Sequence, residues 1–107
     1  MRINFTARHF KAPEQLKEFS EKKVSKLKKY YDNIIECEIT LSYEKLTQVA
    51  EISVRVYSQT LCVVEKSDDI FKSIDAAVDK LERQLKKYKG KTRSYTRMKA
   101  VLPPDED

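Results

Sequence analysis

Two kinds of hydrophobic spacing occupy most of this chain, and their order restricts its fold more than any other feature. Cys37, Ile39, Leu41 and Tyr43 alternate with Glu36, Glu38, Thr40 and Ser42. After a polar turn near residues 44–48, Ala50, Ile52, Val54 and Val56 alternate with Glu51, Ser53, Arg55 and Tyr57. A period of two is that of a strand with one buried face. The period then changes. Ile70, Ile74, Ala77, Val78, Leu81, Leu85 and Tyr88 recur at helical spacing and form one apolar stripe.

The same two periods are present on either side of this block. Ile3, Phe5 and Ala7 alternate with Arg2, Asn4, Thr6 and Arg8, as in a short half-buried strand. Pro13 suits the first turn of a helix, where its missing N–H costs nothing. A first helix is predicted over residues 14–31, with Leu16, Phe19, Leu27, Tyr30 and Tyr31 as its stripe and Val24 at the edge. Ser58-Gln59 suits a turn, and residues 60–65 read as a fourth strand whose inward face the alternation does not settle. Ser67 or Asp68 would cap a second helix over residues 69–89, ended by Gly90 as a left-handed C-cap.

The predicted order is β-α-β-β-β-α, an α+β fold. Two one-striped helices and one-faced strands pack most economically as two helices on one face of a four-stranded sheet, with the other face wet. The crossover through the first helix would make the first two strands parallel, so the sheet is mixed. Residues 1–90 form the expected domain. Residues 91–107 show no periodicity and are expected to be a flexible tail.

Composition removes several function classes. Gly90 is the single glycine of 107 residues, so phosphate-cradling P-loops, dinucleotide fingerprints and a serine-hydrolase elbow are excluded. No apolar run has the length of a membrane span. Met1-Arg2-Ile3-Asn4 opens on alternation rather than an apolar block, so a cytoplasmic protein with reduced thiols is expected. His9 is the sole histidine and stands at no metal-ligand spacing from Cys37 or Cys62; no metal and no cofactor are expected. Nor does any nucleophile or orienting carboxylate accompany His9, so no enzyme is expected. Cys37 shares parity with core positions and is expected as a buried thiol, whereas Cys62 belongs to the strand of unsettled parity; no disulfide is expected.

Charge is the positive signal. The net +5 conceals segregation: residues 1–31 carry nine basic and three acidic side chains, residues 32–69 three and eight, and residues 80–99 nine and one. Two basic ends around an acidic middle suit a shaped polyanion site. On a helix, Lys22, Lys26 and Lys29 lie along one flank, and Lys23 falls inside the apolar stripe, where its stem must snorkel to a rim. Lys80, Arg83 and Lys87 form a second row at i, i+3, i+7, extended by Lys86 and Lys89 around the last turn. Two such rows can straddle a phosphate backbone, each cation releasing a counterion. Lysines near a helix C-terminus also favour its dipole, by ~0.5 kcal/mol each; nine basic residues in 80–99 exceed that need. Tyr57, Tyr30, Tyr31 and Tyr95 are candidates to stack on bases, with core or rim packing the plainer role for the first three.

Several segments carry a family likeness: Leu16-Lys17-Glu18-Phe19, Lys23, Lys26-Leu27, Tyr31, Asp69-Ile70-Phe71, Ile74-Asp75, and the run Asp79-Lys80-Leu81-Glu82-Arg83-Gln84-Leu85-Lys86-Lys87-Tyr88-Lys89. Over residues 1–91 the chain resembles the ribosome hibernation-promoting factors and ribosome-associated inhibitors, whose fold is like that of double-stranded-RNA-binding domains. The resemblance implies a translation inhibitor that binds the small ribosomal subunit and its rRNA at the decoding region during stress or stationary phase, with no membrane and no small-molecule substrate. It carries RNA contact to Lys22, Lys23, Lys26, Lys29, Arg83, Lys86, Lys87 and Lys89; Lys80 joins them on helical geometry. Ala7-Arg8 stands where the family often has Gly-Arg, and Ala12-Pro13 where a Thr cap is common. Neither departure touches the basic rows. The alternatives are a general double-stranded-RNA-binding module and, by the same resemblance, a sigma-factor modulator.

Overall fold

The computed structural model describes residues 1–97 apart from Asp32 and Ser58, with side chains described through Tyr88. Its elements are β1 (Arg2–Ala7), α1 (Glu14–Ser25), a 3-10 turn (Lys26–Lys29), β2 (Glu36–Glu44), β3 (Thr47–Arg55), β4 (Thr60–Ser67) and α2 (Ile70–Arg97). The sheet order is β1-β2-β3-β4. β1 runs parallel to β2, Phe5 opposite Ile39, and the β2-β3-β4 meander is antiparallel, with Ile39, Ile52 and Val63 in one rung.

That rung explains the layering. Cys37, Ile39, Leu41, Ala50, Ile52 and Val54 are fully buried, and Val63 almost so. Leu16, Val24 and Leu27 cover them from the α1 side, and Ile74, Ala77, Leu81 and Leu85 from α2. The parity that β4 left open is thereby settled: Val63 packs inward, and Cys62 and Val64 face out. The outer face is polar. Glu36 accepts a hydrogen bond from the Asn4 amide at 2.6 Å, and Lys66 lies 3.5 Å from Glu44.

The N-terminus of α2 is held by neighbours distant in sequence. The Ile70 N–H donates to the side-chain oxygen of Gln48 on β3 at 2.8 Å, and the Phe71 N–H donates to the Asp69 carboxylate at 2.9 Å. The Ser67 hydroxyl accepts from the Asp69 N–H at 3.1 Å. Gln48 and Asp69 therefore satisfy first-turn donors that the sequence assigned to Ser67 or Asp68. At α1, Pro13 is the N-cap and supplies no side-chain hydrogen bond.

Three boundaries differ from the sequence-based expectation. The first helix leaves α geometry at Ser25 and continues as the 3-10 turn, with Leu27 fully buried. β2 and β3 close through Lys45 and Leu46 alone, since Glu44 pairs with Thr47. Lys45 has a left-handed φ of 57° there, a conformation that glycine would have signalled. Finally, α2 passes through Gly90 to Arg97, and no glycine among the described residues has positive φ. The stop expected at Gly90 is overturned: one interior glycine costs only ~1 kcal/mol relative to alanine, and the basic residues flanking it are good helix formers. The rest of the expected tail, residues 98–107, lies outside the described residues. No helix among the described residues is long and apolar enough to cross a membrane.

Candidate nucleic-acid interface

The helix layer presents the basic residues, and its seam sets their positions. Phe19 of α1 meets Phe71 of α2 edge-on at 4.9 Å between ring centroids. One turn further along, Lys23 lays its ammonium 5.6 Å from the Phe19 ring and 2.8 Å from the Asp75 carboxylate. This is the snorkelling arrangement that its place inside the apolar stripe demanded. Beyond it, the Lys86 ammonium sits 4.9 Å from the Tyr30 ring and 3.4 Å from Glu82, one turn back on its own helix. Tyr31 and Tyr88 close the seam edge-on at 5.3 Å.

The two rows flank this seam. Lys22, Lys26 and Lys29 are exposed on α1 and its 3-10 extension. Tightening to three residues per turn brings Lys26 and Lys29 into line, since i and i+3 eclipse in a 3-10 turn. Arg83 and Lys87 are exposed on the outer side of α2. Among the described residues, Lys22, Lys26, Lys29 and Arg83 enter no ion pair. Lys80 is placed differently. Its ammonium lies 2.6 Å from Glu65 of β4, so it is turned toward the sheet edge rather than along the Arg83–Lys87 line. The side chains of Lys89 and Tyr95 lie outside the described residues.

Helical spacing alone did not reveal that Lys23, Lys80 and Lys86 have acidic partners. Nor did it single out Lys72, exposed on the same outer side of α2 as Arg83. The signal was available: residues 72, 83 and 87 fall within one 60° sector at 100° per residue. Tyr57 is 89% exposed, whereas Tyr30 lies under the Lys86 ammonium and Tyr31 packs on Tyr88, the rim roles expected for them.

The rest of the chemistry is quiet. Burial, with Glu38 beside it, pushes the Cys37 thiol up to about 12. Partial burial raises Cys62 as well, assisted by the charge of Glu51 and a 3.9 Å contact to its carboxylate. Raised thiols are poor nucleophiles at neutral pH, because the thiolate is the reactive form. The described residues contain no group of three or more His, Cys, Asp or Glu able to hold a metal.

A basic, two-helix face over a mixed four-stranded sheet defines a small binding domain suited to a folded polyanion. Residues 3–93 match the family described as Sigma 54 modulation protein / S30EA ribosomal protein, and the chain belongs to that family. It is 32% identical over 95 residues to the ribosome hibernation promoting factor of Escherichia coli, covering 89% of this chain and all of that one. It is 29% identical over 94 residues to the factor of the same name from Pseudomonas putida, covering 88% of this chain and 92% of that one. Among solved structures, a ribosomal subunit interface protein from Coxiella burnetii superposes with a TM-score of 0.79 at 31% identity, over 83% of this chain and 98% of that one. The N-terminal domain of Thermus thermophilus Protein Y gives 0.77 at 30% identity, over 82% and 99%. Both the β-α-β-β-β-α architecture and the family expected from sequence stand.

Proposed function

We propose that this protein is a ribosome hibernation factor that docks its helix layer on rRNA of the small ribosomal subunit, at the decoding region, and keeps idle ribosomes inactive under stress or in stationary phase. The observation that carries this reading is the pair of exposed cationic rows, Lys22-Lys26-Lys29 and Arg83-Lys87, flanking one aromatic seam. Membership of a family described by ribosomal association supports it, as do relatives named for ribosome hibernation. Lys23, Lys80, Lys86 and Lys89 complete the proposed contact set. Action is by occupancy in the cytoplasm, where ribosomes are, with no catalytic step and no cofactor. Residues 1–90 supply the docking domain, with α2 running on to Arg97.

Sedimentation of ribosomes with and without the protein tests this reading. Co-migration with small subunits is expected, weakening steeply as salt rises because bound cations release counterions. Charge reversal at Arg83 and Lys26 should abolish it while leaving the urea midpoint unchanged. No association at low salt would overturn the proposal. Equal preference for generic duplex RNA would replace it with a general duplex-RNA-binding role.

A further inference from the structure

Phe71 stands at the centre of an aromatic patch at one end of the helix seam. It is 42% exposed although it sits in the first turn of a core helix. Three shallow hollows converge on it. One, of about 430 Å³, is lined by Phe10, Lys11, Pro13, Gln15 and Tyr43 among others, besides Phe71 itself. A second, of about 410 Å³, adds Phe19, Glu18 and Lys22. A third, of about 400 Å³, reaches Asp68, Asp69 and Lys72.

Two edge-on ring pairs meet in this patch. Phe10 meets Tyr43 edge-on at 4.8 Å and 72°, and Phe19 meets Phe71 edge-on at 4.9 Å and 78°. Tyr43 and Phe71 are each more than two-fifths exposed, so both pairs present aromatic surface to solvent. Between them Gln15, exposed on α1, offers an amide able both to donate to and to accept from the edge of a base.

Charge decides the kind of guest. Lys11, Lys22 and Lys72, all exposed, enter the three hollows one apiece, and none has an ion pair among the described residues. Of the carboxylates present, Asp69 accepts from the Phe71 N–H and keeps its charge, and Glu18 and Asp68 stand in the other two hollows, so the hollow between Tyr43 and Phe71, where Lys11 is the one charged lining residue, is the cationic one. Lys22 also begins the α1 basic row, so the patch continues the cationic surface without a break. Exposed aromatic surface next to lysines, in line with the Lys22 row, suits an unpaired nucleobase with its phosphates. We propose that the Phe10–Tyr43–Phe71 patch is a stacking site for one unpaired base of the bound RNA, next to the phosphate-gripping rows. This inference rests on the RNA-docking reading.

The chain contains no tryptophan. Phe71→Trp therefore installs a single fluorophore at the site. Three titrations of the full-length variant test the proposal: with small ribosomal subunits, with a single-stranded RNA oligonucleotide, and with an abasic oligonucleotide of the same length. The expected result is quenching by subunits and by the base-containing oligonucleotide, but not by the abasic one. Phe71→Leu, which keeps apolar bulk against Phe19, should weaken subunit binding about tenfold at unchanged salt slope, in line with the loss of ~1–3 kcal/mol per stacked base. Unchanged fluorescence while the variant still sediments with subunits overturns the stacking site and leaves RNA docking standing. Equal quenching by the abasic oligonucleotide also overturns it, as does quenching by an apolar peptide alone. Loss of sedimentation by the unsubstituted protein at low salt overturns both.

Discussion

Lys23 and Asp75 join the two helices through a 2.8 Å contact, with the lysine stem carried over the Phe19 ring. The pair neutralises one cation in the middle of a face on whose flanks Lys22, Lys26, Lys29 and Arg83 enter no ion pair among the described residues. Asp75→Asn should therefore free Lys23 and tighten RNA binding several-fold at low salt, whereas Lys23→Ala should weaken it less than Lys26→Ala does. With Asp75 55% exposed, removing the pair should move stability by no more than ~1 kcal/mol. Binding isotherms at two salt concentrations, with urea midpoints for the same variants, check both halves.

The unpaired rows should behave as additive phosphate contacts. Replacing Lys22, Lys26, Lys29 or Arg83 by glutamine should each lower the slope of log affinity against log salt by ~1. Lys80→Gln should lower it less, because that ammonium already sits 2.6 Å from Glu65. Sedimentation binding curves over a salt series measure the slopes; equal slopes for Lys80→Gln and Arg83→Gln would show that the Glu65 contact opens when RNA binds.

Much of this arrangement is written in local spacing, and what is not depends on partners far away in sequence. The Cys37–Tyr43 and Ala50–Val56 alternations and the Ile70–Tyr88 stripe each state which face is buried, so layer order follows from them. Alternation in β4 is blurred because Glu65, on the inward parity, is accommodated by Lys80 from α2 rather than by exposure. The tight turn at Lys45 carries no glycine, and the helix through Gly90 does, so the usual punctuation misleads at both places. Rows of lysine are visible on a helical wheel. Which of them are spoken for by Asp75, Glu65 and Glu82 depends on how the helices are set against each other, and no spacing within one helix encodes that.

The Lys45 turn makes its own prediction. A non-glycine residue at φ 57° costs of order 1 kcal/mol. Lys45→Gly should relieve that cost and raise the urea midpoint, although the extra freedom of glycine in the unfolded chain offsets part of the gain. RNA binding should stay the same, because the change leaves the Tyr43–Gln48 and Glu44–Thr47 pairings, and with them the position of Tyr43, intact.

Leu81 separates folding from docking. It is fully buried on α2 between the basic outer side and the sheet. Leu81→Ala should cost ~2–5 kcal/mol through lost burial and the cavity left behind. Arg83→Gln, two residues away, should leave stability within ~0.5 kcal/mol, as surface changes do. Urea denaturation of both variants checks this, and a loss of ribosome association in Leu81→Ala should be recovered at lower temperature or with a stabilising osmolyte.

Cys37 gives stability a pH dependence whose sign can be worked out. Its thiol is fully buried on the inner face of β2, and burial, with Glu38 next to it, pushes it from 9.0 to about 12. Between those values the unfolded chain releases the proton and the folded chain keeps it. The unfolded state then binds fewer protons, so unfolding becomes easier as pH rises. The contribution is complete below pH 9 and is lost as pH climbs toward 12. Lysines and tyrosines titrate in the same range, so the comparison must be with Cys37→Ala, which shares all of them. The stability gap between the two proteins should be constant from pH 6 to 8 and narrow steadily above 9, read from urea midpoints at each pH. Cys62, on the opposite face and raised less far, should alkylate faster than Cys37 in the folded protein, and faster still after Glu51→Gln removes the neighbouring charge. A gap that stayed constant to pH 11 would mean that water reaches Cys37 and that the inner face of the sheet is looser than its packing implies.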